Sequence, residues 1–257
     1  MEKTMETFDR SPDAPQIARI EATRPFEWLA RGWQDFTDNA WPSIAHGLIL
    51  VALGWLILLM FSAHIDLLAA AVSGFLLVGP VVAAGFYELS RLRAAGDPAT
   101  FDASVEGAAR NGKPLARLGL VLAALAVAWV VVSHLLFVQA FGGALPSVSD
   151  NFYRTVIDWD NYGFLAVYMS TGAVFAAVAF VMAAVSAPMI FDRGANTGIA
   201  IAASVRAAAA NPVAMLVWAV LIAVLTAIGF ASFLVGLVII LPLLGHATWH
   251  AYRDLIR

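Results

Sequence analysis

Six stretches of about twenty apolar residues constrain this chain more than any other feature of its sequence. A helix that crosses a lipid bilayer needs roughly 20 such residues. Hydrophobic residues make up 61% of the chain and charged residues only 13%, whereas about 25% of a soluble domain is charged. The sequence therefore predicts an all-α integral membrane protein with six transmembrane helices, at about 43–62, 67–89, 115–141, 162–188, 212–231 and 233–251.

The distribution of basic residues predicts the orientation of these spans. With six spans both termini lie on one side, and that side carries all 15 lysines and arginines except Arg154. Basic residues are retained on the cytoplasmic side of a membrane, so both termini are predicted to be cytoplasmic. The first forty residues are polar, and no signal peptide is predicted. The chain has no cysteine, which excludes disulfides and thiol chemistry within it.

Three stretches of the chain align on a proline near the start of a span. Each has an amphipathic lead-in segment, then Pro42, Pro114 or Pro212, then apolar residues, and proline suits the first turn of a helix. We interpret this as three repeated units of an interfacial helix plus a helical hairpin, although helices built of Leu, Val, Ala and Gly also resemble one another by chance. Residues 1–24 are predicted to be a polar, mobile tail, and 25–257 to be the membrane domain, with units at about 25–92, 101–188 and 198–257.

Five motifs in order carry a resemblance to a known family: WLARGWQDF, FLLVGPVVAAGFYELSR, VSAPMIFDRG, SVRAAAANPVAMLVWA and LPLLGHATWHAYRDL. Over about residues 25–256 the chain resembles the bacterial membrane proteins called domain of unknown function 2189. The resemblance implies a multi-pass protein of the bacterial inner membrane, without an established activity. Some members are labelled cytochrome c oxidase subunit I. The family of that subunit implies more transmembrane helices and more metal-binding histidines than this chain, which has five histidines in total.

The five histidines fall at the two ends of the predicted spans. His46, His246 and His250 are predicted at the cytoplasmic end, and His64 and His134 at the outer end. His246 and His250 share a helix face and could bind a metal or haem, and His64 with His134 could bind haem between two hairpins. The interpretation we favour uses neither pair: no metal and no cofactor is predicted, with haem as the alternative.

The C-terminal motif has a simpler interpretation than a metal site. Trp249, Tyr252, His250 and Arg253 are typical of an interfacial belt, in which aromatic rings lie at the headgroups and cations reach the cytoplasm. His246, one turn deeper, is expected to bond to a neighbouring helix.

Few charged residues lie close to the spans, and they form candidate pairs. Glu88 and Arg91 are three residues apart and are predicted to pair on one helix face. Asp192 and Arg193 follow Pro188, in an FDRG sequence expected to turn the chain. The central part of each predicted span has no charged residue and no Ser–His–Asp group is evident at one depth, so we expect neither an ion-coupled transporter nor an enzyme.

The sequence therefore favours a non-enzymatic accessory, assembly or scaffold protein. Amphipathic lead-in segments with exposed tryptophans at Trp28, Trp33 and Trp41 are expected to bind lipid or a partner helix. The expected partners are the bilayer, another membrane protein or a second copy of the chain, and no nucleic acid. Two alternatives stay open: a haem-binding subunit or assembly factor of a respiratory oxidase, and a channel or transporter for a small apolar or amphipathic solute.

Overall fold

The structure is a computed structural model that describes residues 15–62, 65–110, 112–142 and 162–257. The described residues are almost entirely helical and contain no β-strand beyond one isolated bridge between Ile17 and Ile256. They form eleven helices: α1 Arg24–Asp38, α2 Ala40–Phe61, α3 Ile65–Val82, α4 Ala84–Ala95, α5 Phe101–Arg110, α6 Gly112–Phe141, α7 Tyr162–Ala183, α8 Ser186–Arg193, α9 Thr197–Ala210, α10 Pro212–Ala231 and α11 Leu237–Leu255.

Five helical segments in the described residues are long and apolar enough to cross a membrane. They are Ala40–Phe61, Ala70–Ala95, Gly112–Phe141, Tyr162–Arg193 and Pro212–Ala231, and each overlaps one of the first five predicted spans. The sixth predicted span coincides with α11, which is not among the five because its second half, GHATWHAYRDL, is polar. The all-helical membrane class is confirmed, and the sixth span stays a prediction.

The connection between α10 and α11 differs from the predicted one. The spans predicted at about 212–231 and 233–251 leave a single residue between them, whereas α10 ends at Ala231 and α11 begins only at Leu237. Phe233 and Leu234 adopt positive φ angles of 53° and 67° between them. Such angles are costly for side chains of this kind, which is why a bulky Phe-Leu pair did not indicate a turn.

Two of the predicted spans are broken by helix ends near their prolines. The second changes from α3 to α4 at Ala83, three residues after Pro80, and the fourth changes from α7 to α8 four residues before Pro188. A proline donates no hydrogen bond and clashes with the carbonyl four residues earlier. In α11, Pro242 leaves the carbonyl of Val238 without its helical donor, and Gly47 of α2 packs directly against that carbonyl oxygen.

The three predicted lead-in segments are helices α1, α5 and α9, and an asparagine follows each in the sequence, at Asn39, Asn111 and Asn211. Asn39 has φ −123° and ψ 43°, and Asn211 has φ −133° and ψ 51°. Each of these two side chains donates to the carbonyl four residues earlier, Asn39 to Asp35 at 3.0 Å and Asn211 to Ala207 at 3.2 Å. The first and third lead-in helices therefore meet their spans through the same junction.

The second half of the predicted mobile tail is docked on the protein. Ala18 donates its backbone N–H to Leu255 at 2.9 Å, and the Asn211 side chain donates to the carbonyl of Ala18 and accepts from the N–H of Ile20. Residues 15–23 therefore join the last helix to the start of α10, whereas residues 1–14 of the predicted tail lie outside the described part of the chain.

Candidate functional site

A buried histidine lies at the centre of a polar network between four helices. The Nε2 atom of His246 in α11 is 2.9 Å from Oγ of Ser43 in α2, and its Nδ1 atom is 2.8 Å from Oγ of Ser90 in α4. All three side chains are buried. The expectation that His246 bonds to a neighbouring helix is confirmed, and it bonds to two.

Asp35 of α1 completes this network. Its carboxylate accepts from Nε2 of His250 at 2.9 Å and from Arg93 at 2.9 Å. Burial alone would raise the pKa of Asp35, but hydrogen bonds from His250 and Ser90 outweigh it and hold that pKa below its ordinary value. A charged Asp35 is thus enclosed at the place where α1, α4 and α11 meet. We call Asp35, Ser43, Ser90, His246 and His250 the His246 network.

Each ring nitrogen of His246 lies within hydrogen-bonding distance of one serine hydroxyl, Nε2 of Ser43 and Nδ1 of Ser90. A serine hydroxyl can either donate or accept a hydrogen bond. Both nitrogens therefore have a partner whichever of them carries the proton.

This arrangement corrects the expectation that no serine, histidine and aspartate meet at one depth. Ser43, His246 and Asp35 are connected through Ser90 in an order that resembles a nucleophile, a base and an orienting acid. Ser43 and His246 are fully buried, and the two serines that flank His246 lie on different helices. In the described fold the His246 network joins helices.

His46 belongs to the same end of the protein but has a separate partner. Its Nε2 atom is 2.7 Å from Oγ of Ser104 in α5, and the Ser104 hydroxyl donates to the carbonyl of Phe101, so His46 is the donor. The ring of Phe86 lies between His46 and His246, with centroids 5.5 and 5.7 Å away. The three inner histidines are thus brought to one end, as predicted, but each is bonded to a different side chain.

Only one histidine of the predicted outer pair lies in the described part of the chain. His134 is an exposed residue of α6, and His64 lies outside the described residues. Among the described residues, no group of three or more His, Asp or Glu side chains is arranged to hold a metal ion.

Glu88 and Arg91 form the predicted ion pair. Arg91 donates from Nε and Nη2 to the two carboxylate oxygens of Glu88, at 2.7 and 2.8 Å. The sequence did not reveal the second partner, Arg110 of α5, which also binds Glu88. Only 2% of the Glu88 side chain is exposed, because Gly107 of α5 packs against it. The bond between Glu88 and Arg110 therefore connects α4 to α5.

Asp192, Arg193 and Arg253 meet around one tyrosine. The hydroxyl of Tyr252 donates to Asp192 at 2.7 Å and accepts from Nε of Arg193 at 2.9 Å, and Arg253 lies 3.7 Å from Asp192. The expected turn in FDRG is also present, because Gly194 ends α8 with a φ of +62°, which glycine adopts readily.

The interfacial belt predicted for the C-terminus is wrong in its main members. Trp249 and Tyr252 are buried inside the protein, where Tyr252 connects α11 to α8 and Trp249 packs against Phe191 at 6.4 Å. Trp28 is likewise fully buried, and its ring meets Trp218 edge-on at 5.7 Å. Of the three tryptophans expected to be exposed, only Trp33 and Trp41 are.

A second charged cluster was not predicted at all. Asp254 accepts from Nε of Arg24 at 2.8 Å, from Arg31 at 2.5 Å and from Nε1 of Trp28 at 2.9 Å. Burial alone would raise the pKa of Asp254, but these three donors lower it to about 2. Residues 24, 28 and 31 lie on one face of α1, and this spacing was the signal available in the sequence.

The fold and its polar interior define the class, an integral membrane protein of several apolar helices. Residues 67–192 of the chain match the family described as predicted integral membrane protein (DUF2189). This confirms the resemblance noted in the sequence for the matched residues, and the motifs before 67 and after 192 lie outside the match. No curated protein and no solved structure is found to match the chain.

Proposed function

We propose that this protein is a non-enzymatic scaffold of the bacterial inner membrane, which holds a partner membrane protein against its cytoplasmic surface. In this proposal six helices cross the membrane and both termini are cytoplasmic, as the distribution of basic residues favours. The observation that carries the proposal is where the polar and the apolar side chains lie. Buried polar side chains join the helices to one another, whereas large apolar side chains of the lead-in helices face outward.

The lead-in helices support a threefold repeat through their burial pattern. Counting back from the asparagine after each helix, the residues seven before it are small and buried, and those four before it are also buried. The first set is Gly32, Ser104 and Ser204, and the second is Asp35, Gly107 and Ala207. The same alternation in three helices favours one repeated unit over a coincidence of composition.

Each lead-in helix contacts the second hairpin helix of the preceding unit, and the first lead-in helix contacts the last helix of the chain. Glu88 of α4 binds Arg110 of α5, the backbone N–H of Val185 donates to Ser204 of α9 at 3.2 Å, and His250 of α11 binds Asp35 of α1. This order of contacts closes the three units on one another. A closed and internally bonded arrangement suits a protein that offers a fixed surface.

Three equivalent apolar side chains lie on the outside of this arrangement. Trp33, Val105 and Val205 all stand six residues before the asparagine, and they are 48%, 48% and 40% exposed. We call them the apolar ring. A contiguous exposed apolar patch marks a surface that contacts another molecule, and the proposal assigns that role to the apolar ring together with its partner.

The test is the size of the protein in a gentle extract. Membranes that contain the protein are solubilised in a mild detergent, and the native mass is compared for the wild type, Trp33→Ala and Gln34→Ala. Gln34 is the exposed neighbour of Trp33 on α1, so its variant is the matched control. We expect the wild type and Gln34→Ala in a complex larger than the chain and its detergent, and Trp33→Ala shifted toward the single chain.

The thermal midpoint of each variant is measured in the same detergent, because the Trp33 ring also stacks on Phe36 at 5.4 Å. A wild-type protein that runs as a single chain under the mildest conditions would overturn the proposal. A complex unaffected by Trp33→Ala would remove the apolar ring from it.

A further inference from the structure

An open cavity of about 490 Å³ lies beside the start of α2. Trp41 and Pro42 of α2 line one side of it, and Thr100, Phe101 and Asp102 at the start of α5 line the other. A volume of several hundred Å³ is ordinary for a site that accepts an organic group. The cavity is separate from the His246 network, since none of that network's residues lines it.

The residues of this cavity are suited to a cation. Trp41 is 74% exposed, and the exposed Asp102 carboxylate forms no ion pair with any residue in the described ranges. None of the described residues that line the cavity is a lysine or an arginine. An aromatic face next to a carboxylate attracts ammonium groups, whereas a single carboxylate is too few ligands for a divalent metal ion.

An apolar stripe on the same face of α2 indicates which ammonium compound binds. Leu48, Trp55 and Leu59 follow Trp41 at helical spacing, and all are exposed. The stripe runs from the cavity along a helix that is long and apolar enough to cross the membrane. A ligand with an ammonium group at one end and a hydrocarbon chain at the other would contact both the cavity and the stripe.

We infer that this cavity binds the ammonium headgroup of a zwitterionic phospholipid, with phosphatidylethanolamine as the probe of that class. The ammonium lies between the indole of Trp41 and the carboxylate of Asp102, and one acyl chain runs along the stripe. The inference rests on the proposed position of α2 across the membrane, but it does not require a partner protein.

The competing occupant is the phosphate of an anionic lipid. The Thr100 hydroxyl accepts from the backbone N–H of Ala103 at 3.2 Å, so it caps the start of α5, where a helix favours negative charge. The Asp102 carboxylate opposes a phosphate at this position. Replacing Asp102 by a neutral residue therefore separates the two ligands, because it weakens ammonium binding and strengthens phosphate binding.

The experiment places the protein in nanodiscs that hold equal amounts of phosphatidylethanolamine and phosphatidylglycerol, and native mass spectrometry counts the lipid that each variant retains. The variants are Asp102→Asn and Trp41→Leu. The controls are Asp97→Asn and Phe26→Leu, which change exposed residues outside the cavity.

The wild type is expected to retain phosphatidylethanolamine preferentially, and each cavity variant to lose about threefold to tenfold of that preference, while both controls keep it. Equal retention of the two lipids by the wild type, or an unchanged preference in Asp102→Asn, would overturn the inference. A preference for phosphatidylglycerol that Asp102→Asn increases would also overturn it and assign the cavity to a lipid phosphate.

Failure of this inference can be told apart from failure of the proposed scaffold. The cavity variants are expected to change the retained lipid and leave the native complex intact. Trp33→Ala, the variant of the scaffold test, is expected to reduce the complex without changing any residue of the cavity.

Discussion

The contact between Gly32 of α1 and Ala247 of α11 gives the sharpest test of how the first and last units are joined. A Cβ atom at position 32 would lie 2.7 Å from the backbone nitrogen of Ala247 and 2.9 Å from its Cβ. Ordinary contacts between such atoms are about 3.5 Å or longer, so Gly32→Ala must move the two helices apart by about 0.8 Å.

The free-energy cost of that movement is partly offset by the higher helix propensity of alanine relative to glycine. Overpacking of this kind costs about 1–3 kcal/mol, and replacing glycine within a helix returns about 1 kcal/mol. We therefore expect Gly32→Ala to lose up to about 2 kcal/mol of unfolding free energy, or up to about 8 °C in Tm. Separation of α1 from α11 also stretches the bonds from Asp35 to His250 and from Arg31 to Asp254.

The assay is thermal unfolding in one detergent, followed by intrinsic tryptophan fluorescence, with Gly119→Ala as the control. Gly119 also lies within a helix, but its nearest neighbour would be a Val81 methyl group at 3.8 Å, so that variant should keep or slightly raise the Tm. If Gly32→Ala raises the Tm as much as Gly119→Ala does, the close packing of α1 on α11 is wrong.

The remaining predictions concern charge, cofactors and topology. The pKa of Asp254 is lowered to about 2 from an ordinary 3.8, so the charge of Asp254 stabilises the fold above about pH 4, and this contribution is lost as the pH falls to 2. After allowance for its partly exposed partners, the contribution is ~1–2 kcal/mol. When the free energy of unfolding is measured against pH, Asp254→Asn should therefore change less than the wild type between pH 4 and pH 2. Glu88→Gln should lower the free energy of unfolding by about 1–3 kcal/mol, since it leaves two arginines unpaired, whereas Glu106→Gln, at an exposed site, should change it little; equal losses would contradict the Glu88 cluster. Because both ring nitrogens of His246 are hydrogen-bonded, we predict that His246 does not bind haem, and a Soret band of the purified protein that His246→Ala abolishes would refute this. The chain has no cysteine, so a single thiol at Arg257→Cys should be labelled only from the cytoplasmic side and one at Gln139→Cys only from the outside; labelling of both from one side would refute the proposed topology.

The membrane class could be predicted from the sequence because hydropathy acts locally. Each of the first five predicted spans is a long, mainly apolar stretch, and five helical segments of that kind occur among the described residues. The same reasoning was less informative for α11, where Pro242 is followed by polar residues that pack inside the protein. Whether such a segment crosses the membrane depends on its neighbours, and its own composition does not decide it.

Trp28 and Trp33 show how far helix periodicity reaches. Trp28, Gly32, Asp35 and Phe36 share the buried face of α1, and Trp33 lies outside it. The helical spacing of these residues was enough to predict which face of α1 is buried, but the charged Asp35 on that face argued against its burial. It is buried because it binds His250, which is 215 positions away in sequence.

The other polar contacts between helices could not be predicted either, because their members are far apart in the sequence. The Glu88–Arg91 pair could be predicted because three residues separate its members on one helix, whereas Arg110 arrives at Glu88 on another helix. The bonds from Ser43 and Ser90 to His246 span 203 and 156 positions. A single sequence shows which residues share a helix face, but not which faces meet.

The central claim, that the apolar ring binds a partner membrane protein, is tested most directly in intact membranes. A photo-reactive amino acid is placed at position 33 in one strain and at position 37 in another, and both are exposed positions on α1. Illumination should yield a discrete protein adduct from position 33 and little or none from position 37. Lipid adducts alone from position 33, or equal protein adducts from both positions, would contradict the proposed scaffold function.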